Sequence, residues 1–329
     1  MVGSLDEQIS DQLGAKQFVS VLRRDDEVLS VVLRELWERG LRSLEEVAVL
    51  TELDSFYGRA MPEVVARAFC EIPEMDSDNS DSYWDCQMAD SGSSVSVAAG
   101  KIQSYGYLRG VDGETLGVTT DRSGKQDSSD GNMPSASLLS LTTSYRERAS
   151  GSAQLDYVRR LADRIAAMGG ETRLKAIGVF GSDIYDKQLL IHALHDRLPN
   201  LVFFTTDLDA RLFDPREFGW NRNLLVGSSL PLDPYPETLE DRLGPQFESA
   251  PFRDHYQTAM FRAVSFVLEG CTNVPETGKP CSVEPPMPRL YEIGRSGAID
   301  ITPPLDLYGA GSASSEGLAK VVAGAAVST

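Results

Sequence analysis

The sequence predicts an α/β fold with doubly wound, mainly parallel sheets, and three observations carry that prediction. Leu174 to Arg211 reads as strand, helix, strand. Its two apolar runs, Ala176–Phe180 and Leu201–Phe204, are continuous rather than alternating, as in strands covered on both faces. A second stretch, Val47 to Phe69, repeats the order of apolar run, polar tip and helix. Parallel neighbours need a crossover, and helices of this length supply it.

The elements follow in order. Residues 1 to 16 carry no clear pattern, and Phe18 to Leu22 reads as a strand. Asp25 and Asp26 cap a helix over Glu27 to Arg39, with Val28, Leu29, Val32, Leu33, Leu36 and Trp37 on one face and Gly40 at its end. Val47 to Leu50 is a buried strand, and a helix runs from Tyr57 to Phe69 with Pro62 placed in its first turn. From Glu71 the composition shifts to Ser, Asp and Gly, interrupted by one strand over Lys101 to Arg109. Such segments bury too little apolar surface to offset chain entropy, so the region reads as a long disordered insertion. Ala153 to Met168 is a helix with Leu155, Val158, Leu161, Ile165 and Met168 in one stripe, closed by Gly169 and Gly170.

In the central unit, Gly181, Ser182 and Asp183 give turn and N-cap chemistry, and Leu189, Leu190, Ala193, Leu194 and Leu198 recur at helical spacing. Leu224 to Gly227 is a further strand, and Arg253 to Leu268 a helix with His255, Thr258, Ala259, Arg262 and Ala263 along one side. Arg289 to Ile293 and Ile299 to Thr302 read as an antiparallel pair. The chain therefore divides into 1–70, part of a first α/β lobe that reads as incomplete; 71–150, the acidic, Ser-rich insertion; 151–305, a second lobe; and 306–329, a flexible Gly/Ala/Ser tail.

Composition bounds the partners. The 329 residues carry a formal net charge of -18, with 41% hydrophobic and 24% charged residues. An acidic field of this size repels phosphate backbones and anionic lipid, so neither nucleic acid nor a membrane surface is expected as partner. No window approaches the roughly 18 apolar residues of a membrane span, and Met1 to Gln12 lacks the pattern of a secretory signal. The default expectation is a soluble, cytoplasmic chain. Cys70, Cys86, Cys271 and Cys281 form no CxxC pair, the three histidines give no zinc spacing, and Cys271 and Cys281 bracket a loop that a disulfide could close but read first as two free thiols.

Both central strands end in polar tips, and in open α/β sheets ligands sit at the carboxyl ends of strands. Asp54, Tyr57 and Arg59 follow one strand, and Ser182, Asp183, Tyr185 and Lys187 follow another in a similar order. Side chains and free amides at helix starts hold the charged ends of small ligands, and they also cap helices. Asp54, Tyr57, Arg59, Ser182, Asp183 and Tyr185 are the candidate ligand-binding residues. Asp207 and Asp209, two acids one residue apart at a strand end, could instead share a divalent ion in a metal-dependent hydrolase or transferase. Ser182 is not in a GxSxG elbow, His192 and His195 read as packing histidines, and no dinucleotide or Walker motif occurs. No cofactor is expected.

The succession FVSVLRRDDEVLSVVLRELWERGL, VAVLTELDSFYGRAMPEVV, LDYVRRLADRI, AIGVFGSDIYDKQLLIHAL and PNLVFFTTDLDARLF resembles type I periplasmic-binding-protein-like domains. These occur also as receptor ligand-binding regions, as branched-chain amino-acid sensors and in large bacterial proteins of unassigned function. Asp54 to Arg59 matches their D-x-x-Y-G-R helix start, and Phe252 to Val264 is similar to their late helix. The resemblance spans Gln17 to Leu268 apart from the insertion. It implies a non-catalytic sensor that binds a small polar, amino-acid-like ligand in a cleft. Closure of that cleft would be passed to a neighbouring domain or a homodimer partner. A scaffold that binds only other protein is the remaining alternative.

Overall fold

The computed structural model describes residues 20–72, 98–110, 152–169, 174–233, 251–268 and 287–303. They form one seven-stranded sheet of order β2-β1-β3-β4-β5-β6-β7. The strands are β1 (Val47–Glu52), β2 (Gln103–Tyr107), β3 (Ala176–Phe180), β4 (Val202–Thr206), β5 (Leu225–Ser228), β6 (Arg289–Gly294) and β7 (Gly297–Asp300). The first five run parallel, and β6 and β7 close the edge as an antiparallel hairpin. The α/β class and the mainly parallel sheet are as the sequence predicts.

Alternation along β1 sorts the core into two layers. Val47 and Val49 face α1 (Asp25–Glu38) and α2 (Phe56–Cys70), packing with Leu29, Val32, Leu36, Met61, Val65 and Phe69. Ala48 and Leu50 face α3 (Ser152–Gly169) and α4 (Ile184–His195), packing with Val158, Ile165, Leu190, Ile191 and Leu194. All six residues of β1 are buried, so both faces of the sheet are covered, as a continuous apolar run requires. The helices end as their sequences dictate. Gly40 takes φ 97°, and the amides of Gly40 and Leu41 bond to the carbonyls of Trp37 and Leu36 to close α1. Ser55 caps α2, Asp183 caps α4, and Asp254 caps α6 (His255–Phe266). The short helix α5 (Phe218–Asn221) precedes β5.

Three expectations need correction or restatement. The strand expected over Phe18–Leu22 is absent at residues 20–22, while 18 and 19 lie outside the described residues. There the Ser20 hydroxyl donates to the Leu22 carbonyl and the Arg23 amide to the Ser229 hydroxyl, so no ladder forms. Pro62 sits in the second turn of α2 rather than the first, because the helix begins at Phe56. The segments read as two lobes share one sheet: β1, from 1–70, lies between β2, from 71–150, and β3, from 151–305. Cys70 is disulfide-bonded. Cys271, Cys281, the tail from 306 and most of the insertion also lie outside them. Among the described residues, no helix is long and apolar enough to cross a membrane.

Candidate functional site

The strand order 2-1-3-4-5 places a topological switch point between β1 and β3. The chain leaves β1 for α2 on one face and leaves β3 for α4 on the other, so the two loops diverge at the carboxyl edge and open a crevice. Two polar clusters occupy that edge.

The first cluster is centred on Glu52, the last residue of β1, which is 0% exposed. One carboxylate oxygen accepts from the Ser55 hydroxyl at 2.9 Å and the other from the Ser182 hydroxyl at 2.9 Å. Ser55 Oγ in turn accepts from the Gly58 amide, so β1, the start of α2 and the β3 loop are tied together. The packing leaves no slack. A Cβ on Gly58 would lie 2.1 Å from the Glu52 carbonyl oxygen, and one on Gly181 would lie 1.9 Å from the Tyr107 hydroxyl. Asp54 pairs with Arg109 at 2.9 Å. Burial works to raise the Asp54 pKa, but the Arg109 guanidinium outweighs it and holds the carboxyl below its ordinary value. Asp186, fully buried, accepts from the Gly110 amide at 2.8 Å.

The second cluster surrounds Asp207, just past β4. Asp207 has φ 72°, a left-handed conformation that Asp tolerates better than most residues and that costs strain. Its carboxylate lies 3.6 Å from the Lys187 ammonium of α4 and 3.5 Å from His255 Nε2 of α6. Lys187 is 3% exposed and also donates to the Thr206 carbonyl at 3.1 Å. Tyr57, from α2, lies 2.9 Å from the Thr206 hydroxyl, and burial, then the charges of Asp207 and Asp25, push its phenol well above the ordinary value. Burial, then the charges of Asp207 and Asp25, push the Tyr256 phenol up in the same way. Burial lowers the pKa of His255, favouring the neutral ring. Burial first, then the charge of Asp207, pushes Asp25 at the start of α1 up to about 6.

Two buried atoms of this cluster have no hydrogen-bond partner, His255 Nδ1 and Thr258 Oγ1.

The residues singled out in the sequence divide between these clusters. Tyr57 reaches the second. Ser182 and Asp54 belong to the first, where a carboxylate and a guanidinium occupy them. Arg59 donates to the Leu53 carbonyl and Asp183 accepts from the Tyr185 amide, both as local supports. Tyr185 is 41% exposed, with the Arg211 guanidinium 4.9 Å from its ring centre. Asp207 and Asp209 turn to different partners. Asp209 accepts two hydrogen bonds from the Arg211 guanidinium, at 2.9 and 2.5 Å, and one from the Arg211 amide at 2.9 Å, while Asp207 faces Lys187 and His255. Among the described residues, no three His, Cys, Asp or Glu side chains are grouped to hold a metal ion.

Sequence reasoning passed over Asp25, Glu52, Lys187, His255 and Tyr256 as site residues. One signal was present: Lys187 stands at helical spacing from Leu190, Ile191 and Leu194, all buried, so a lysine lies on the apolar face.

No family model matches the chain, and no curated protein matches it in sequence. Solved structures do resemble it in fold. An extracellular ligand-binding receptor from Verminephrobacter eiseniae is 13% identical with a TM-score of 0.45, the match covering 90% of this chain and 71% of that one. An ABC-transporter solute-binding protein from R. palustris, in complex with benzoate, is 8% identical with a TM-score of 0.44, covering 86% and 64%. An ABC-transporter substrate-binding protein from Desulfitobacterium hafniense is 12% identical with a TM-score of 0.44, covering 90% and 70%.

Proposed function

We propose that the carboxyl edge of the sheet binds a small polar ligand without chemical conversion, and that Tyr57, Lys187, Asp207, His255 and Tyr256 make the contacts. The observation that carries this reading is the pair of unpartnered buried atoms, His255 Nδ1 and Thr258 Oγ1, beside a strained Asp207. Strain and unpaired polar groups persist where a ligand completes them. Asp207 keeps 22% of its side chain exposed, so a ligand can reach it. Of the residues singled out in the sequence, Tyr57 touches the ligand. Tyr185 stands at the rim, and Asp54, Arg59, Ser182 and Asp183 hold the loops in place.

The same edge is rimmed by exposed apolar side chains: Leu53 at 50%, Phe56 at 83%, Leu108 at 64% and Tyr256 at 57%. They give a neighbouring domain, or a second copy of the chain, a surface on which to close over the ligand. The disulfide at Cys70 fits an oxidising compartment better than the cytoplasm.

A thermal-shift screen of the purified chain against amino acids, small carboxylates, amines and sugars tests the reading. A ligand that binds only the folded state adds about 2.7 kcal/mol at a hundredfold excess over its Kd. The expected hit loses its shift in Tyr57→Phe or Asp207→Asn. A hit whose affinity is unchanged in both variants places the site elsewhere.

A further inference from the structure

The helical layer on the α3 and α4 side of the sheet holds a cavity of about 320 Å³ that the carboxyl-edge clusters do not use. Its lining follows from helical spacing. Leu189, His192, Ala193 and Asp196 recur at i, i+3, i+4 and i+7 along α4 and line it, while Leu190, Ile191 and Leu194 on the neighbouring face are buried in the core. Arg159 and Ala162, one turn apart, come from α3, and Trp220 comes from α5. Alanine at 162 and 193 leaves the groove between the two helices open. α4 begins at the carboxyl edge with Ile184, so residues 189–196 lie toward its other end, away from Asp207, which Lys187 faces.

One wall of the cavity is aromatic and is held by its own partners. His192 and Trp220 stack with ring centres 4.4 Å apart and planes tilted by 32°. His192 Nε2 lies 2.6 Å from Glu217 Oε2, and the Trp220 indole donates to Asp196 at 3.0 Å. Of the neighbouring cations, Arg160 pairs with Asp156 at 2.8 Å and Arg197 with Asp163 at 2.6 Å. Arg159 lines the cavity and has no hydrogen-bond or ion-pair partner among the described residues. In a chain of net charge -18, a guanidinium left without a carboxylate can take one from a ligand.

We propose that this cavity is a second binding site and that it takes a small aromatic carboxylate. The ring packs on Ala162, Leu189, Ala193 and the Trp220–His192 pair, and the carboxylate meets Arg159. Aromatic rings that meet edge-on or offset gain more than their buried area gives. An apolar cavity of about 150 Å³ takes one benzene ring, so roughly twice that volume has room for two fused rings. Asp196 is held in the wall by the Trp220 indole, which leaves Arg159 to set the sign of the ligand. The site does not depend on the binding reading of the carboxyl edge.

Equilibrium dialysis of the full chain at pH 7.5, read by naphthalene absorbance, compares three probes of one shape: 2-naphthoate, 2-naphthylmethanol and 2-naphthylmethylammonium. The carboxylate should bind tightest, by about fivefold over the alcohol, the upper end for a pair at an exposed guanidinium. Arg159→Gln should erase that preference and leave the affinity for the alcohol unchanged. Ala193→Leu fills the groove without touching the charge, and should abolish binding of both while the chain still melts cooperatively. Asp207→Asn, at the other site, should change nothing. Tightest binding of the ammonium probe overturns the proposal, as does a carboxylate affinity that survives both Arg159→Gln and Ala193→Leu. Binding lost in Asp207→Asn and kept in Ala193→Leu would put the probe at the carboxyl edge and overturn it too. Absence of binding by every probe at millimolar concentration removes this site and leaves the carboxyl-edge reading standing.

Discussion

The Tyr57 and Thr206 hydroxyls lie 2.9 Å apart, so a side chain from the helix after β1 reaches past β3 to the end of β4. This contact joins the start of α2 to the loop that carries Asp207. Tyr57→Phe keeps the ring and removes the bond. Urea unfolding should show a loss of about 1 kcal/mol, the usual net worth of one hydrogen bond. A loss below about 0.3 kcal/mol would mean that Thr206 finds another partner and the brace is not needed.

Gly181 holds the β3 loop against Tyr107. An added Cβ would lie 1.9 Å from the Tyr107 hydroxyl but 3.2 Å from the ring carbon that bears it, so the hydroxyl is the main obstacle. Gly181→Ala should cost about 1–3 kcal/mol, the range for overpacking a filled core. Tyr107→Phe, which gives up the bond to the Phe180 carbonyl, should be destabilising alone and partly restorative in the double variant. A double-mutant cycle from chemical denaturation reads the coupling, and strict additivity would show that the loop yields elsewhere.

What the sequence made legible, and what it hid, follow from range. β3 is found over Ala176–Phe180, as predicted, because a continuous apolar run bounded by Lys175 and Gly181 is a local signal. The β6–β7 hairpin was legible for the same reason, though β7 runs Gly297–Asp300 and begins two residues before the expected Ile299. FVSVL has strand composition, yet residues 20–22 have no strand to pair with, and pairing is not written in the segment itself. The site suffered most. Asp25, Lys187, Asp207 and His255 come from four elements spread over 230 residues of sequence, and only the sheet order brings them together. Glu52 was hidden differently: it ends a strand that reads as apolar, and a buried carboxylate there is explained only by the serines from two loops that satisfy it.

Stability should vary with pH through Asp25. Its folded pKa, about 6, lies above the ordinary 3.8, so between these values the folded chain binds more protons than the unfolded chain. Stability from this group is therefore fully present below about pH 4 and is lost as pH rises through 6. His255 acts in the opposite sense: its pKa is lowered by burial, so its contribution is present above its ordinary 6.5 and lost as pH falls through the folded value. Comparing the chain with Asp25→Asn cancels the His255 term to first order. The expected difference is that Asp25→Asn gains in urea midpoint relative to the unaltered chain between pH 4 and 6.5. A difference that does not change with pH would mean that Asp25 titrates alike in the folded and unfolded chain.

Asp54 and Asp183 separate support from contact. Both stand at the helix starts that the sequence marks for ligand binding, and both have protein partners: Asp54 pairs with Arg109, and Asp183 accepts from the Tyr185 amide. The Asp54 pair is exposed, and such pairs contribute about 0.2–1 kcal/mol. Losing the Asp183 cap should cost about 0.5–2 kcal/mol. Neither carboxylate is bonded to Asp207 or Lys187, so with any ligand found by the thermal-shift screen, Asp54→Ala and Asp183→Ala should lower the melting midpoint while changing Kd less than threefold. Tyr57→Phe and Asp207→Asn should instead raise Kd at least tenfold, whatever they do to the melting midpoint. Stability and affinity measured on the same four variants decide the matter. If Asp54→Ala or Asp183→Ala costs as much affinity as Asp207→Asn, the ligand lies at the β1 and β3 loops and the Asp207 cluster is its frame.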